Sequence, residues 1–507
     1  MGLKSARDTI VSSIEEQAKA STNLEELAYA GSSLEKLAKL DFDILPNDDA
    51  YNIGTPGTLG FGVAAVKDEI LFDGYSKLTG HEDVAHPNYG CVMDLKGSVF
   101  EYIPPFYYKM NGNVITISHS AIAGYVRPRA FYDSPNGFLH FKYLAGNEGG
   151  KLVSKQFLDP VSTSSAHNPI GNLISSPANN YAGFIDACHD AGYKTTTIFE
   201  WEVFRLIELA QSQSGASTAL CAFNDVAPFF SKGCLGNALH DVNDTSVTFT
   251  SSGYSNCALT GSGSNFAKTT HNGQNSGIAD ITGNMWKIVT GLTYLAKVTG
   301  TATSKDETTV TIANHGLAVD DVIYFGGTPS SGSTYNTAAY TVTGVTDGNT
   351  ITVNNALERD IASTDGVYSA RYFRILKASV NPNDLTSSNL LDESLYDLLD
   401  LTSVVGGNAG WTYLGNGSNQ VLNFSTDTNS KEYKRASVCI PTDVGTSSSG
   451  TTNFGNDGLY RYLRNGLVVI VGGHWGYSGY AGVFCSFLSH YSSDSYGYVG
   501  GFASVSL

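Results

Sequence analysis

From about Val298 to Asp365 the chain changes character abruptly. Stretches such as "TTVTIANHGLAVDDVIYFGG" and "AAYTVTGVTDGNTITVNNAL" alternate Thr and Val with polar residues around a D-G-N turn, the pattern of a small all-β module, expected to be Ig-like or a β-sandwich. The segments on either side, "GLTYLAK" before it and "YSARYFRILKASV" after it, read as two strands able to pair with each other. The run therefore reads as a guest, residues 298–367, inserted at the tip of a strand pair with its two ends close together. The host domain must then be built from both sides of the insertion, residues 88–297 and 368–507.

The remaining patterns divide the 507 residues further, a length that exceeds one ordinary core. Residues 1–44 have helical periodicity: "ARDTIVSSIEEQAKA" is amphipathic, and Asn23 with Glu26 and Ser32 with Glu35 have capping-box spacing. Leu24, Leu27, Leu34 and Leu37 on these short helices need a covering surface, which points to an attachment or oligomerisation region. Residues 45–87 read as a loop-rich connector, and the "GTLGFG" within it lacks the preceding strand and following helix that a phosphate-binding loop requires. Strands are expected in "SVFEYIPPFYYKM", "NVITISH" and "FLHFKYLAG". Helices are expected in "NNYAGFIDACHDAGY" and, behind a Thr197/Glu200 capping box, in "TTIFEWEVFRLIELAQSQS". The acidic "LLDESLYDLLDL", Leu390 to Leu401, reads as an amphipathic helix with a solvated face. The fold class expected is α+β.

Composition excludes several kinds of function. A net charge of −17 without clustered Lys or Arg argues against nucleic acid as a partner. No apolar run approaches the roughly eighteen residues of a membrane span. The start lacks a basic segment followed by an apolar one, so a protein acting outside a cell is expected to leave by lysis or inside a particle. Seven cysteines without a C-x-x-C pair suggest buried free thiols. His240, His271 and His490 stand in Gly, Asn and Ser-rich surroundings with no carboxylate at ligand spacing, so neither a metal nor another cofactor is expected. There is no G-x-S-x-G and no recognisable Ser/His/Asp order, and no enzymatic activity is expected.

The chain ends on "GGHWGYSGYAGVFCSFLSHYSSDSYGYVGGF", where Gly, Ala, Val, Leu and Trp interleave with Tyr, Ser and His. From His474 to Tyr498 the only residue with a formal charge is Asp494, and Lys, Glu, Gln and Met are absent. Tyr, Ser and Gly are what antibody paratopes use, because Tyr offers a large amphipathic contact at low entropic cost and Ser adapts its hydrogen bonds.

Several landmarks in order resemble the formylglycine-generating-enzyme type of C-type-lectin fold. "TIFEWEVFRLIELA" resembles its E-W-E helix, "DITGNMWKIVTGL" its S-G-N-V-W-E-W segment, and the ending its R-G-G-x-W … G-F-R pattern. "EYIPPFYYKM", "GYVRPRAFYDS" and "HFKYLAG" resemble phage tail-fibre members of that superfamily, and the ending is most similar to the variable region of phage tropism determinants diversified by retroelements. In such regions randomised adenines turn Asn codons into codons that cannot encode Lys, Glu, Gln, Met or Trp. The resemblance places Trp475 in the scaffold and implies that His474, Tyr477, Ser478, Tyr480, Ser486, Phe487, Ser489, His490, Tyr491, Ser493, Asp494, Tyr496 and Tyr498 are displayed for ligand binding. Trp201 and Trp286 read as core residues.

These features together lead to the expectation of a virion receptor-binding protein of the tail-fibre tip. It is expected to bind a host cell-surface protein or glycan through residues 474–498 and other tail proteins through its N-terminus, as the trimer that the resemblance implies. A structural tail or baseplate protein whose Tyr-rich end is an assembly surface is the alternative. An oxidase of the formylglycine-generating kind is disfavoured, since Ala503 and Ser504 stand where its cysteine is needed and Cys485 has no nearby partner in sequence. The motifs of calcium-dependent sugar-binding lectins, E-P-N or Q-P-D with W-N-D, are absent.

Overall fold

The computed structural model describes residues 52–111, 114–216, 247–250, 257–263, 269–327, 338–405, 407–414, 427, 429–440, 457–475 and 482–507. The helices expected over residues 1–44 lie outside the described residues. What is described is a mixed α+β structure in which strands greatly outnumber helices.

The expected helix before the mid-chain Gly-rich region is present as Ile198–Gln213. The Thr197 hydroxyl accepts from the Glu200 amide and the Glu200 carboxylate accepts from the Thr197 amide, so the capping box is complete. This helix is buried on nearly every side, including Glu200, Glu202, Arg205 and Glu208, which identifies it as an internal axle. Burial drives the Glu202 carboxyl up to about 8, against the pull of the nearby Arg129 and Arg205. The second expected helix is Tyr181–Asp190, capped by Asn180, whose side chain accepts from the Gly183 amide.

Two sheets flank these helices. The first has the order Ser76–Lys77, Cys91–Met93, Val99–Ile103, Phe138–Phe141, Ala503–Ser506, Lys194–Thr195. The last strand of the chain thus lies between strands from its first half, which joins both ends of the host region in one sheet. Phe100, Phe141 and Tyr193 pack edge to face there with centroids 5.0–5.6 Å apart. Lys142 Nζ, also in this core, donates to Glu101 Oε2 at 2.7 Å and to the carbonyls of Pro87 and Ser276 at 2.9 and 3.1 Å. A buried ammonium is tolerable because its donors are used in this way.

The second sheet has the order Tyr396–Leu399, Phe373–Leu376, Trp286–Tyr294, Leu467–Val471, Ser486–Tyr491, Gly458–Tyr462, Ala409–Tyr413, with Val499–Gly501 parallel to the Trp286 strand. All nine residues of Trp286–Tyr294 are buried. Trp201 and Trp286 are both core residues.

The strands flanking the Thr/Val-rich run pair antiparallel, with Leu292 opposite Ile375 and Tyr294 opposite Phe373. Between them six strands form a sheet of their own, ordered Lys297–Val298, Gly366–Tyr368, Val322–Phe325, Tyr340–Asp347, Thr350–Val353, Thr309–Thr311. A bridge between Thr299 and Ile312 connects the two ends of this order, so the described module is one sheet that curls toward closure and not the Ig-like or two-sheet sandwich expected, because its end strands meet each other instead of packing face to face. Arg371 ties it to the host: one side of its guanidinium donates to Asp321 and Nη1 lies 3.1 Å from Asp400 Oδ2.

One expected helix is absent. Leu390–Leu401 contains a short 3-10 turn, Glu393–Leu395, and the strand Tyr396–Leu399 that pairs with Phe373–Leu376. Its apolar residues fit a helical stripe, but pairing beside an already formed edge strand places Tyr396 and Leu399 in the core and overrides local propensity.

Candidate functional site: an aromatic face on the second sheet

Three neighbouring strands of the second sheet, Ala409–Tyr413, Gly458–Tyr462 and Ser486–Tyr491, alternate between the core and the surface. Thr412, Leu459, Arg461, Ser486 and Leu488 point inward and are buried, while Trp411, Tyr413, Tyr460, Tyr462 and Phe487 are half-buried on the outer side; beyond Leu488 a register shift against Leu467–Val471 interrupts the alternation and brings His490 to the side of Phe487. Register aligns the rings across the strands. Trp411 is opposite Tyr460, and Tyr460 is opposite Phe487.

The result is a row of rings that runs into a dish. Centroids are 5.9 Å apart for Tyr413 and Trp411, 5.2 Å for Trp411 and Tyr460, and 4.3 Å for the stacked pair Tyr460 and Phe487. From Phe487 the contacts pass to His490 at 5.5 Å, Tyr496 at 5.0 Å, Tyr498 at 5.1 Å and His474 at 4.6 Å. Trp286, 1% exposed, forms the floor, touching Phe487 at 5.5 Å and His474 at 6.3 Å. Trp475 is buried beside it. Arg464 lies over the Tyr462 and Tyr491 rings at 4.4 and 4.5 Å and donates to the Ser489 carbonyl.

The interior fixes this face from behind. Arg205 on the buried helix donates to the carbonyls of Val438, Val483 and Phe484 and, at 2.6 Å, to Ser486 Oγ. Trp201 Nε1 donates to the Val483 carbonyl at 2.8 Å. The Asp457 carboxylate accepts from the Phe484 amide, and the chain passes so close that a Cβ at Gly482 would lie 2.0 Å from that carboxylate. The 492–498 loop is held by the start of the Tyr181–Asp190 helix, whose Tyr181 and Ala182 amides donate to the carbonyls of Asp494 and Ser492. Thr163 adds to this by accepting from the Tyr496 amide.

The expected displayed residues fall into three groups. His474, Phe487, Ser489, His490, Tyr491, Asp494, Tyr496 and Tyr498 are half-buried on or beside the face, and Ser493 is exposed. Tyr477, Ser478 and Tyr480 lie outside the described residues. Ser486 is a correction: at 6% exposure it points inward to Arg205, because strand alternation gives the outer side to its neighbour Phe487. Trp411, Tyr413, Tyr460, Tyr462 and Arg464 were not anticipated. Their signal is the period-two pattern W-T-Y in "AGWTY" and Y-R-Y in "GLYRY".

The face is electrically quiet. Burial holds the His474 imidazole down to about 4, helped by the Lys287 charge, and burial also lowers His490 despite its contact with Asp494 at 3.2 Å. Both rings are therefore neutral at neutral pH. The two formal charges at its margin are engaged: Asp494 accepts from the Tyr491 amide as well as facing His490, and Arg464 is stacked between tyrosines.

Elsewhere the chemistry is muted. Cys91, Cys188, Cys257, Cys439 and Cys485 are buried free thiols, whereas Cys221 and Cys234 lie outside the described residues. Burial pushes the Cys485 thiol well up, with the Asp457 charge adding to it, which is the opposite of what a reactive thiolate needs. Among the described residues no three His, Cys, Asp or Glu side chains are placed to hold a metal, and no helix is long and apolar enough to cross a membrane. A concavity of about 560 Å³ bordered by Leu59, Lys67, Glu82, Val84 and Tyr89 lies near residue 52, and its lining includes none of the aromatic face.

No family model matches the chain, and no curated protein matches it. Among solved structures, the tailspike protein gp49 from Pseudomonas phage LKA1 aligns over 16% of this chain and 15% of its own at 25% identity, with a TM-score of 0.13. An overlap that short and that loose fixes neither fold nor function.

Proposed function

We propose that this chain is a receptor-binding protein of a phage tail that attaches to a host cell-surface protein or glycan through the aromatic face. The observation that carries the reading is the face itself: partly exposed rings in mutual contact, held from behind by Arg205 and Trp201. A patch of rigid amphipathic rings on a prearranged scaffold is suited to recognition, because little side-chain entropy remains to be lost on contact.

The finer parts of the proposal rest on sequence. The host region is a C-type-lectin-like body interrupted by the 298–367 module, residues 1–44 attach the protein to other virion components, and three copies multiply weak contacts by avidity. The lack of Lys, Glu, Gln and Met between His474 and Tyr498 supports diversification of that stretch by a retroelement. The chain acts by binding and not by catalysis, a reading supported by its inert buried thiols.

The test is binding of the labelled, purified chain to a panel of bacterial cells, beside a variant with Tyr491, Tyr496 and Tyr498 changed to Ala. The reading expects at least one cell type to retain the parent chain and to release the folded variant. Equal retention of both, or no retention by any cell, sinks it, and the assembly-surface alternative then takes its place.

A further inference from the structure

We infer that the inserted module is one wall of the receptor site and that the receptor is a protein, which meets the aromatic face and the module's Tyr324 and Tyr368 together. The inference rests on the receptor-binding reading and adds to it the chemical class of the partner and a subsite outside the 474–498 stretch.

Three observations carry it. The first is that the module is held at a fixed angle. Two chain crossings would suffice to hang a spacer on the host, and units joined in that way move against each other by default. Here Arg371 donates from Nε and Nη2 to the two oxygens of Asp321, which is 3% exposed in the module, at 2.5 and 2.7 Å, while its Nη1 lies 3.1 Å from Asp400 Oδ2 of the host. A two-pronged guanidinium contact of this kind sets direction as well as distance. The second is where the module is held. Tyr324 and Tyr368 are opposite each other on the strands Val322–Phe325 and Gly366–Tyr368, and both are half-buried. A Cβ at Gly407, which leads into the strand Ala409–Tyr413, would lie 3.6 Å from Tyr324 Oη and 3.9 Å from Arg461 Nη2. Tyr368 is within electrostatic reach of Tyr491 and Arg464: burial raises its hydroxyl first, Tyr491 adds to the rise and Arg464 opposes it. The turn that carries Arg464 is tied to the entrance of the module, since the Asn465 side-chain oxygen accepts from the Ala296 amide at 3.1 Å and the Gly466 amide donates to the Tyr294 carbonyl at 3.2 Å. The module therefore adjoins the end of the face where Tyr462, Arg464 and Tyr491 meet. The third is composition. Residues 407–414, 457–475 and 482–507, which carry the face, include Trp, Tyr, Phe and Arg but no Lys and no Glu, and the strands Val322–Phe325 and Gly366–Tyr368 hold no charged residue. Aromatic residues with Arg, and few Lys or Glu, distinguish the centres of protein–protein interfaces from ordinary surface. Joining host and module also broadens the contact toward the roughly 800 Å² that each side of a stable protein interface buries.

The experiment uses the full chain and intact cells that retain it. Cells are treated with protease, or with periodate, which cleaves the vicinal diols of sugars, before binding is measured. Tyr324→Ala and Tyr368→Ala are compared with Tyr368→Phe, which keeps the ring, and with Val345→Ala at an exposed position of the same module, with thermal unfolding as the check on folding. The inference expects binding to be lost after protease and kept after periodate. It expects at least about a tenfold loss in the two tyrosine-to-alanine variants, a smaller loss in Tyr368→Phe and less than about a twofold change in Val345→Ala. Hydroxyl-radical footprinting of the unaltered chain needs no variant to fold, and Tyr324 and Tyr368 are expected to be oxidised less on cells than in solution. Survival after protease, or loss after periodate, overturns the assignment of a protein while leaving receptor binding in place. Parental binding by either folded alanine variant, or oxidation of the two tyrosines that is unchanged on cells, removes the module from the site. Retention by no cell at all overturns the receptor-binding reading and this inference together.

Discussion

Two aromatic clusters of the same molecule have opposite fates. In the first sheet Phe100 and Phe141 are fully enclosed and meet Tyr193 edge to face, whereas on the second sheet Trp411, Tyr460 and Phe487 meet at similar distances but remain partly open. Ring density alone therefore does not mark a core. What separates them is burial: Phe100 and Phe141 are themselves fully enclosed, while on the second sheet the enclosed residues are the inward neighbours Leu459 and Leu488. Trp411 and Phe487 pack against the core and still keep part of their surface exposed.

That contrast can be broken by mutation. Phe100→Ala should cost about 3–5 kcal/mol of stability through loss of transfer energy and a cavity, read by denaturant unfolding, and should weaken binding only in proportion to the unfolded fraction. Arg205→Met should cost about 2–4 kcal/mol, because the carbonyls of Val438, Val483 and Phe484 lose a buried donor. It should also loosen the face, seen as faster amide exchange in residues 483–491.

Acidification gives a third and smaller effect. His140 and His271 are held down to about 3 and His474 to about 4, in each case chiefly by burial, against an ordinary value near 6.5. Over that window each of these three imidazoles binds its proton in the unfolded chain and not in the folded one, so their contribution to stability is full above about pH 6.5 and is lost as pH falls through their folded values, whereas the buried Glu202 carboxyl, held up to about 8, contributes in the opposite sense between its ordinary value and that one. His474→Phe should flatten part of that fall, measured as Tm against pH. Trp411→Ala should have the smallest effect on stability, about 1 kcal/mol or less, since its ring gives up little core contact.

Much of the framework was legible in the sequence. The Thr197/Glu200 capping box, the strand pairing around residues 298–367 and the buried Trp201 and Trp286 follow from local patterns that the fold did not overrule. The site was legible only in part. Phe487, His490, Tyr496 and Tyr498 sit in one short stretch, but Trp411 and Tyr460 join them through strand pairings between residues 49 apart (Trp411 and Tyr460) and 27 apart (Tyr460 and Phe487), which no local pattern specifies. Ser486 was misassigned because composition does not reveal which phase of an alternating strand faces inward. The segment Leu390–Leu401 was misread because its helical spacing and a strand of two buried ends, Tyr396 and Leu399, are both consistent with the same leucines.

The most direct measurement of the central claim is a cell-binding isotherm for a Trp411→Ala/Tyr460→Ala double variant beside Phe100→Ala, each scored against its own thermal unfolding curve. The account predicts that the double variant stays folded and loses at least about tenfold in apparent affinity, while Phe100→Ala loses stability and, where folded, binds as the parent does. A folded double variant with parental affinity would contradict the assignment of the aromatic face as the receptor site.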